Sequence, residues 1–482
     1  MTLAAPPQVD SAAEAYRADR VAHWDGVARQ TEHRPTLARY YHRRLAEVYR
    51  FVVPPGQRVL ELGCGRGDLL AALRPAVGVG IDLAPEMIRQ GRHRHPHLDL
   101  SVGDALDAAV DGTFDFIVLS DLVNDLWDVQ QVFQQLRPMC RPGTRLVMNF
   151  YSRLWEWPLA AAHRLGVAHP LLRQNWLTVP DVSNLLYLSG FEAMRHWEEI
   201  LWPVRTPGVD ALFNKFLVKL WPLKHGALTN FLLARPAPEP RADPPRVSVI
   251  VPARNEAGNV EAIFRRTPDM GSGTEIVFVE GGSRDDTYAT IERAIPDHPE
   301  RPARLLRQAG TGKGDAVRAG FAAASGEVLM ILDADLTVPP EDLPRFYDAL
   351  VSGKGEFVNG VRLVYPMEKH AMRLINLAGN KFFSLAFSWM LGQSVKDTLC
   401  GTKVLYKRDY ERIAANRSYF GDFDPFGDFD LIFGASKLNQ KIVDLPVRYR
   451  ERTYGTTNIN RWSHGWLLLK MVAFAARKLK FV

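Results

Sequence analysis

Met330-Ile331-Leu332-Asp333-Ala334-Asp335-Leu336 decides how this chain is read. An apolar run leads straight into two carboxylates, and the turn residues Thr337-Val-Pro-Pro340 follow. Such a stretch predicts a buried strand ending in Asp-x-Asp, with two hard oxygen donors at a sheet edge about one strand repeat apart. That donor set suits Mg²⁺ or Mn²⁺ already carrying a diphosphate, because these ions divide their coordination between carboxylates and phosphate oxygens. A plain strand followed by an acidic turn has the same short pattern, so the flanking sequence must decide.

The flanks repeat one theme. Val247-Ser-Val-Ile-Val-Pro-Ala-Arg-Asn-Glu256 reads as a buried strand breaking into a polar turn, with a helix beginning near Asn259. Glu275-Ile-Val-Phe-Val-Glu280 reads as a second strand, closing in the acidic glycine turn that holds Asp285. Gly312-Lys313-Gly-Asp-Ala316 opens a helix whose free N–H groups, with Lys313, suit a phosphate. Strand–helix alternation of this kind predicts a mostly parallel sheet with ligands at the strand ends.

With these motifs in place, residues 246–482 resemble the family 2 glycosyltransferases of the GT-A fold, and most of all the polyprenyl-phosphate sugar transferases such as the dolichol-phosphate mannosyltransferases. The resemblance implies a nucleotide-sugar donor held by Pro252, Arg254 and Glu256 in the first turn and by Glu280 and Asp285 in the second. It implies Asp333 and Asp335 as metal ligands. Arg362 of Asn-Gly-Val-Arg, Lys403 of Asp397-Thr-Leu-Cys-Gly-Thr-Lys and Arg452, near Gly455, would join the metal in neutralising the leaving diphosphate. For a hydroxyl acceptor a carboxylate must take the proton, with Asp430 the first candidate and Asp428 the next; a phosphate acceptor hardly needs one. The sequence departs from the family at Glu280-Gly-Gly-Ser, at Thr337, and at Asn458, where the family carries a lysine.

The first half carries a different set. Arg58-Val-Leu-Glu-Leu-Gly-Cys-Gly-Arg-Gly-Asp68 is an apolar strand running into glycines 63, 65 and 67. Val77–Asp82 is a second strand ending in an acid, and Asp104 and Asp121 mark two further strand ends. Glycines at a strand's carboxyl end let backbone approach a ligand closely. The ordered set, over roughly residues 35–235, resembles the class I S-adenosylmethionine-dependent methyltransferases. The resemblance implies Glu61, Gly63 and Gly65 around the methionine and sugar portions, Asp82 on the ribose and Asp104 beside the adenine. Asp121, Asn124, Asp125 and Trp127 follow the fourth strand, where that family often contacts substrate, although a helix cap and solvated turn would use the same residues. Residues 11–50 predict two amphipathic helices, and the aromatic run Trp197, Trp202, Phe213, Phe216 and Trp221 predicts core.

Bulk properties bound the rest. A length of 482 residues exceeds one ordinary core, and 46% hydrophobic with 24% charged residues is globular. The five prolines of Arg235–Pro245 predict a semi-rigid linker, so the expected organisation is α/β with two domains: 1–235 methyltransferase-like, 236–245 linker, 246–482 GT-A. A net charge of +6 gives no whole-chain case for nucleic acid. Three scattered cysteines disfavour a disulfide framework or a zinc site. No signal peptide or membrane span is expected, which points to a cytoplasmic protein. The stretches 371–391 and 466–480 pair apolar faces with cations, which suits helices lying peripherally on a membrane beside a lipid-like acceptor. The expectation is a bifunctional enzyme; the competing one is a glycosyltransferase for a soluble hydroxyl, carrying a non-catalytic cofactor-binding module.

Overall fold

The computed structural model describes residues 11–30, 37–108, 110–164, 172–362, 364, 374–419, 428–450, 452, 454 and 461–481. The chain forms two compact units, Met1–Ala237 (with Phe481–Val482) and Pro238–Lys480, each built around one seven-stranded sheet.

In the first unit the strands are β1 (Arg58–Leu62), β2 (Val77–Asp82), β3 (Asp99–Val102), β4 (Phe114–Ser120), β5 (Cys140–Tyr151), β6 (Phe191–Glu199) and β7 (Thr229–Pro236). Their order is β3-β2-β1-β4-β5-β7-β6, with the first five strands parallel and β7 antiparallel to both β5 and β6. Side-chain alternation along β1 sends Val59 to one face and Leu60 and Leu62 to the other, so each face acquires its own core. Tyr49 of helix Leu37–Val52 packs on the first face and Phe133 of helix Val129–Leu136 on the second. Each such fully buried side chain contributes about 1.5–3 kcal/mol. The order reverses at β1 and β4, and an open α/β sheet binds ligands in the crevice beyond such a reversal.

In the second unit β8 (Val247–Ala253), β9 (Thr274–Glu280), β10 (Ala303–Arg307), β11 (Val328–Ile331), β12 (Phe357–Val361), β13 (Lys403–Tyr406) and β14 (Ile442–Pro446) lie in the order β10-β9-β8-β11-β13-β12-β14. Only β13 runs antiparallel to its neighbours. Val247, Val249 and Val251 meet Phe264 and Phe346 on one face, while Ile250 meets Phe321, Phe387 and Phe433 on the other.

Four expectations change in detail. The Asp-x-Asp acids sit at no sheet edge: β11 lies between β8 and β13 and stops at Ile331, and a turn closed by Leu336 N–H donating to the Asp333 carbonyl (3.1 Å) carries both acids. Leu336 is left-handed, at φ 55°, which bends the chain off the pleat. The sheet continues into the expected linker, because Arg235 and Pro236 pair with Glu192 and Phe191 and the Arg235 guanidinium lies buried against the Glu192 carboxylate. The aromatic run is not all core: Trp197 stacks on Phe231, but Trp221 is 78% exposed. Among its described side chains helix Ser11–Gln30 buries Arg20 and Ala28 outright, and it is held by polar contacts of Arg20 and Trp24 together with a small apolar patch in which Trp24, Val27 and Ala28 meet Ala84 and Met87. No helix among the described residues is long and apolar enough to cross a membrane.

Candidate active sites

At the carboxyl end of β1 the glycine loop is a sequence of left-handed residues, Gly63 (φ 67°), Gly65 (φ 53°) and Gly67 (φ 73°), a conformation that side-chain-bearing residues rarely adopt. Leu122 seals one side, since a Cβ on Gly63 would stand 2.8 Å from its Cδ1. Asp82, at the end of β2, accepts from the Gly65 N–H (2.8 Å) and the Ala84 N–H (2.9 Å), stitching the two strand ends together. Burial pushes its carboxyl up despite those two donors. Asp104 caps the turn after β3 by accepting from Leu106 N–H at 3.0 Å, and Arg17 lies 3.4 Å from its other oxygen. Glu61 is 2% exposed, its Oε2 has no protein partner, and burial raises its carboxyl well above the usual range. A buried acceptor with an unused oxygen beside an open glycine loop fits a ligand bringing its own N–H or O–H donors, as S-adenosylmethionine does. The structure thus gathers Glu61, Gly63, Gly65, Asp82 and Asp104 along three neighbouring strand ends.

The second site assembles at the ends of β8, β9 and β11. Lys313, at the start of helix Lys313–Ala323, lies 2.6 Å from Asp333 Oδ1, and a Cβ on Gly401 would collide with both side chains. Burial alone would raise the Asp333 carboxyl, but Lys313, with Lys403 and Arg362 behind it, holds it below the ordinary range. Asp335 accepts from Thr337 Oγ1 (2.8 Å) and from Arg452 Nη2 (2.6 Å). The same guanidinium reaches Glu256 Oε1 at 3.5 Å. Burial first, then the neighbouring Asp335 and Asp285, push Glu256 up to about 7 against the pull of Arg452. Asp285 accepts from Thr287 Oγ1 (2.5 Å) and Tyr454 OH (3.5 Å), and Glu280 from Ser283 N–H (2.5 Å). Pro252 closes β8 with Ala253, and Arg254 follows it as an exposed cation.

Two expected phosphate-binding cations have protein partners instead. Arg362 is 9% exposed and forms a two-pronged pair with Asp397, Nε to Oδ2 at 2.7 Å and Nη2 to Oδ1 at 2.9 Å. Lys403 is fully buried and donates to the Cys400 carbonyl. Arg362 therefore fixes the 397–403 loop at the end of β12, and Lys403 closes that loop on itself. Asp430 lies on helix Asp428–Lys437, where Arg417 Nε donates to its Oδ2 at 2.8 Å. The Asp428 side chain, the run 420–427, Gly455 and Asn458 fall outside the described residues. No group of three or more His, Cys, Asp or Glu able to hold a metal forms among the described residues. Asp333 and Asp335 nevertheless fit a hard divalent ion, offering carboxylate oxygens only and leaving the remaining positions for phosphate.

Sequence reasoning under-read the end of β4. Asp121 is left-handed (φ 55°), and its Oδ1 accepts from Tyr41 OH (2.7 Å) and Asn149 Nδ2 (2.5 Å). Its place after a strand was legible; partners 80 and 28 residues away were not.

Two open α/β sheets with acid-lined sites at their strand ends define a pair of transferase domains. Comparison with known proteins gives the particulars: residues 59–143 match a methyltransferase domain family, and residues 248–413 match glycosyl transferase family 2. The chain therefore carries a methyltransferase-family domain in its first unit and a glycosyl transferase family 2 domain in its second. Among curated relatives, undecaprenyl-phosphate 4-deoxy-4-formamido-L-arabinose transferase of Klebsiella pneumoniae is 26% identical over 214 residues, 44% of this chain and 61% of that protein. The chain thus spans about three-fifths of the length of that relative. Glucosyl-3-phosphoglycerate synthase of Mycobacterium tuberculosis, solved with Mn²⁺ and UDP, overlaps 49% of this chain and 80% of its own at 19% identity and a TM-score of 0.35. A Haloferax volcanii methyltransferase solved with its Trm112 activator overlaps 45% and 98%, at 18% identity and a TM-score of 0.34. Overlaps at those scores bear on neither substrate nor mechanism.

Proposed function

We propose that the second domain moves a sugar from a nucleotide-diphosphate donor to a polyprenyl phosphate or related lipid-like acceptor, with inversion, and that the first domain transfers a methyl group from S-adenosylmethionine. The observation that carries the reading is the pairing at β11: two carboxylates on one turn, each already matched to a cation, Lys313 on Asp333 and Arg452 on Asp335. Mg²⁺ or Mn²⁺ bound by those two carboxylates would supply charge to the leaving diphosphate. Lys313 and Arg452 then serve as cations that exchange a carboxylate partner for a phosphate oxygen. Pro252, Arg254, Glu256, Glu280 and Asp285 surround the nucleotide. Arg362 and Lys403 act from behind, keeping Asp333 ionised and the 397–403 loop in place.

A phosphate acceptor arrives as an anion and needs no base, which suits an Asp430 already engaged by Arg417. For a hydroxyl acceptor Asp430 is the first candidate base and Asp428 the next. Peripheral membrane contact is supported by helix Leu374–Leu391, where Phe382 and Leu385 are 54% and 65% exposed while Phe383 and Phe387 face the core. Trp466 and Leu469 of helix Arg461–Ala475 are exposed in the same way.

The test is Asp335→Asn, assayed for sugar transfer and for S-adenosylmethionine binding in the same preparation. Transfer should fall at least a hundredfold with cofactor affinity unchanged. Retained transfer would remove Asp335 from the metal site.

A further inference from the structure

The methyl acceptor has its own carboxylate. We infer that Asp121 is the acceptor-binding and proton-accepting residue of the methyltransferase domain, and that its substrate is a neutral hydroxyl or amine bearing a transferable proton. The inference rests on the reading of this domain as a binder of S-adenosylmethionine.

Four observations carry it. The first is place. Glu61 and Asp82 line the ends of β1 and β2, while β4 flanks β1 on the opposite side, where the strand order reverses. Leu122, directly after Asp121, packs against Gly63 of the cofactor loop. Asp121 therefore stands at the far margin of the same crevice. The second is backbone strain. A non-glycine residue at φ 55° is disfavoured and persists where its surroundings enforce it. Here the Asp121 N–H donates to the Asn149 carbonyl at 3.2 Å while its side chain is gripped from two sides.

The third is the grip itself. Asn149 is fully buried in β5. Tyr49 OH (2.8 Å) and Ser120 Oγ (3.0 Å) both donate to its Oδ1, which turns its Nδ2 toward Asp121. Thr229 Oγ1, 3.3 Å from that nitrogen, completes the set. Tyr41 OH is the second donor to Asp121 Oδ1. The fourth is what remains. Both donors fall on Oδ1, no donor among the described residues falls on Oδ2, and Asp121 is partly exposed. Burial raises its carboxyl, with His42, Tyr41 and Asn149 opposing, which moves it toward the range of a useful base.

The arrangement balances as chemistry. The acceptor's lone pair forms the new bond to the methyl carbon as the carbon–sulfur bond breaks, its electron pair staying on sulfur. The acceptor's proton passes to Asp121 Oδ2, so the sulfonium charge and the carboxylate charge are lost together. Tyr41 and Asn149 act on the acceptor through Asp121 and are positioning residues. An acceptor that lacks a proton to give has no use for this carboxylate, which is why the site selects hydroxyls and amines.

The test needs no knowledge of the acceptor. Sinefungin carries an amine-bearing carbon where the cofactor carries its methylsulfonium, and S-adenosylhomocysteine carries neither group. Dissociation constants of both should be measured by calorimetry on the full chain, for wild type, Asp121→Asn and Tyr41→Phe. Asparagine is nearly isosteric and tolerates the left-handed backbone, so the fold should survive. Wild type should prefer sinefungin. Asp121→Asn should cut that preference about tenfold or more, the worth of a charge-assisted hydrogen bond, with S-adenosylhomocysteine affinity unchanged. Tyr41→Phe should reduce the preference less, because the carboxylate and the Asn149 grip remain. An unchanged preference in Asp121→Asn, or equal weakening of both ligands, would overturn the proposal. A wild-type protein binding neither ligand would overturn the methyltransferase reading and the proposal with it.

Discussion

Glu61 shows at the scale of one residue how function and stability oppose each other. Its carboxyl is buried with one oxygen unpartnered, so the folded chain holds a proton that the unfolded chain releases. The sign follows from linkage: the folded value is raised, so this group's contribution is fully present below the ordinary carboxylate range and is lost as pH rises through the raised value. Glu61→Gln should therefore raise the unliganded melting temperature at pH 8, by about 2–4 °C for each ~1 kcal/mol recovered. The same change should weaken S-adenosylmethionine binding, with differential scanning fluorimetry reading both effects; a lower unliganded melting temperature would show that Glu61 is satisfied without cofactor. The position of Glu61 was legible because an acid between an apolar strand and three glycines has few other uses. The two-sided grip on Asp121 was not legible, since Tyr41 and Asn149 are ordinary core residues in sequence and become polar partners only when their helix and strand close on β4.

At the scale of elements, the strand-and-loop framework of the second site depends on the Arg362–Asp397 pair. β12 ends at Val361, so Arg362 leaves the sheet where the 397–403 loop returns, and the two-pronged contact fixes one to the other. Asp397→Asn should destabilise the second domain by about 3–5 kcal/mol, because it leaves a buried guanidinium without its counter-charge. Urea unfolding followed by tryptophan fluorescence would measure this; a cost below about 1 kcal/mol would mean that the pair is wet and weak. Sequence reasoning gave Arg362 and Lys403 to the leaving diphosphate because a cation in a motif that resembles a transferase's has that chemistry available. It could not see that Asp397 reaches Arg362 first, a tertiary pairing 35 residues apart, or that the loop folds back so that the Cys400 carbonyl takes Lys403. The Asp-x-Asp acids were placed correctly after a buried strand, yet on an interior strand rather than an edge, since an apolar run reads alike in both positions.

At the scale of the molecule, two sheets of seven strands give one chain two units, and the function proposed above gives each its own transfer chemistry. The proline-rich segment announced the division in sequence because prolines cannot donate to a ladder; its start was misread by a residue because Arg235, buried against Glu192, draws Pro236 into β7. Joining the domains raises the effective concentration of one product at the other site, which suits a glycoside that is methylated before or after transfer. The central claim is transfer of a sugar to a lipid-linked phosphate. The most direct measurement incubates the full chain with Mg²⁺ or Mn²⁺, labelled nucleotide sugars and polyprenyl phosphate, and follows label into the organic phase. Transfer should require both lipid and metal and disappear in Asp335→Asn. Donor hydrolysis without lipid labelling, or lipid labelling that survives removal of the metal, would contradict that claim.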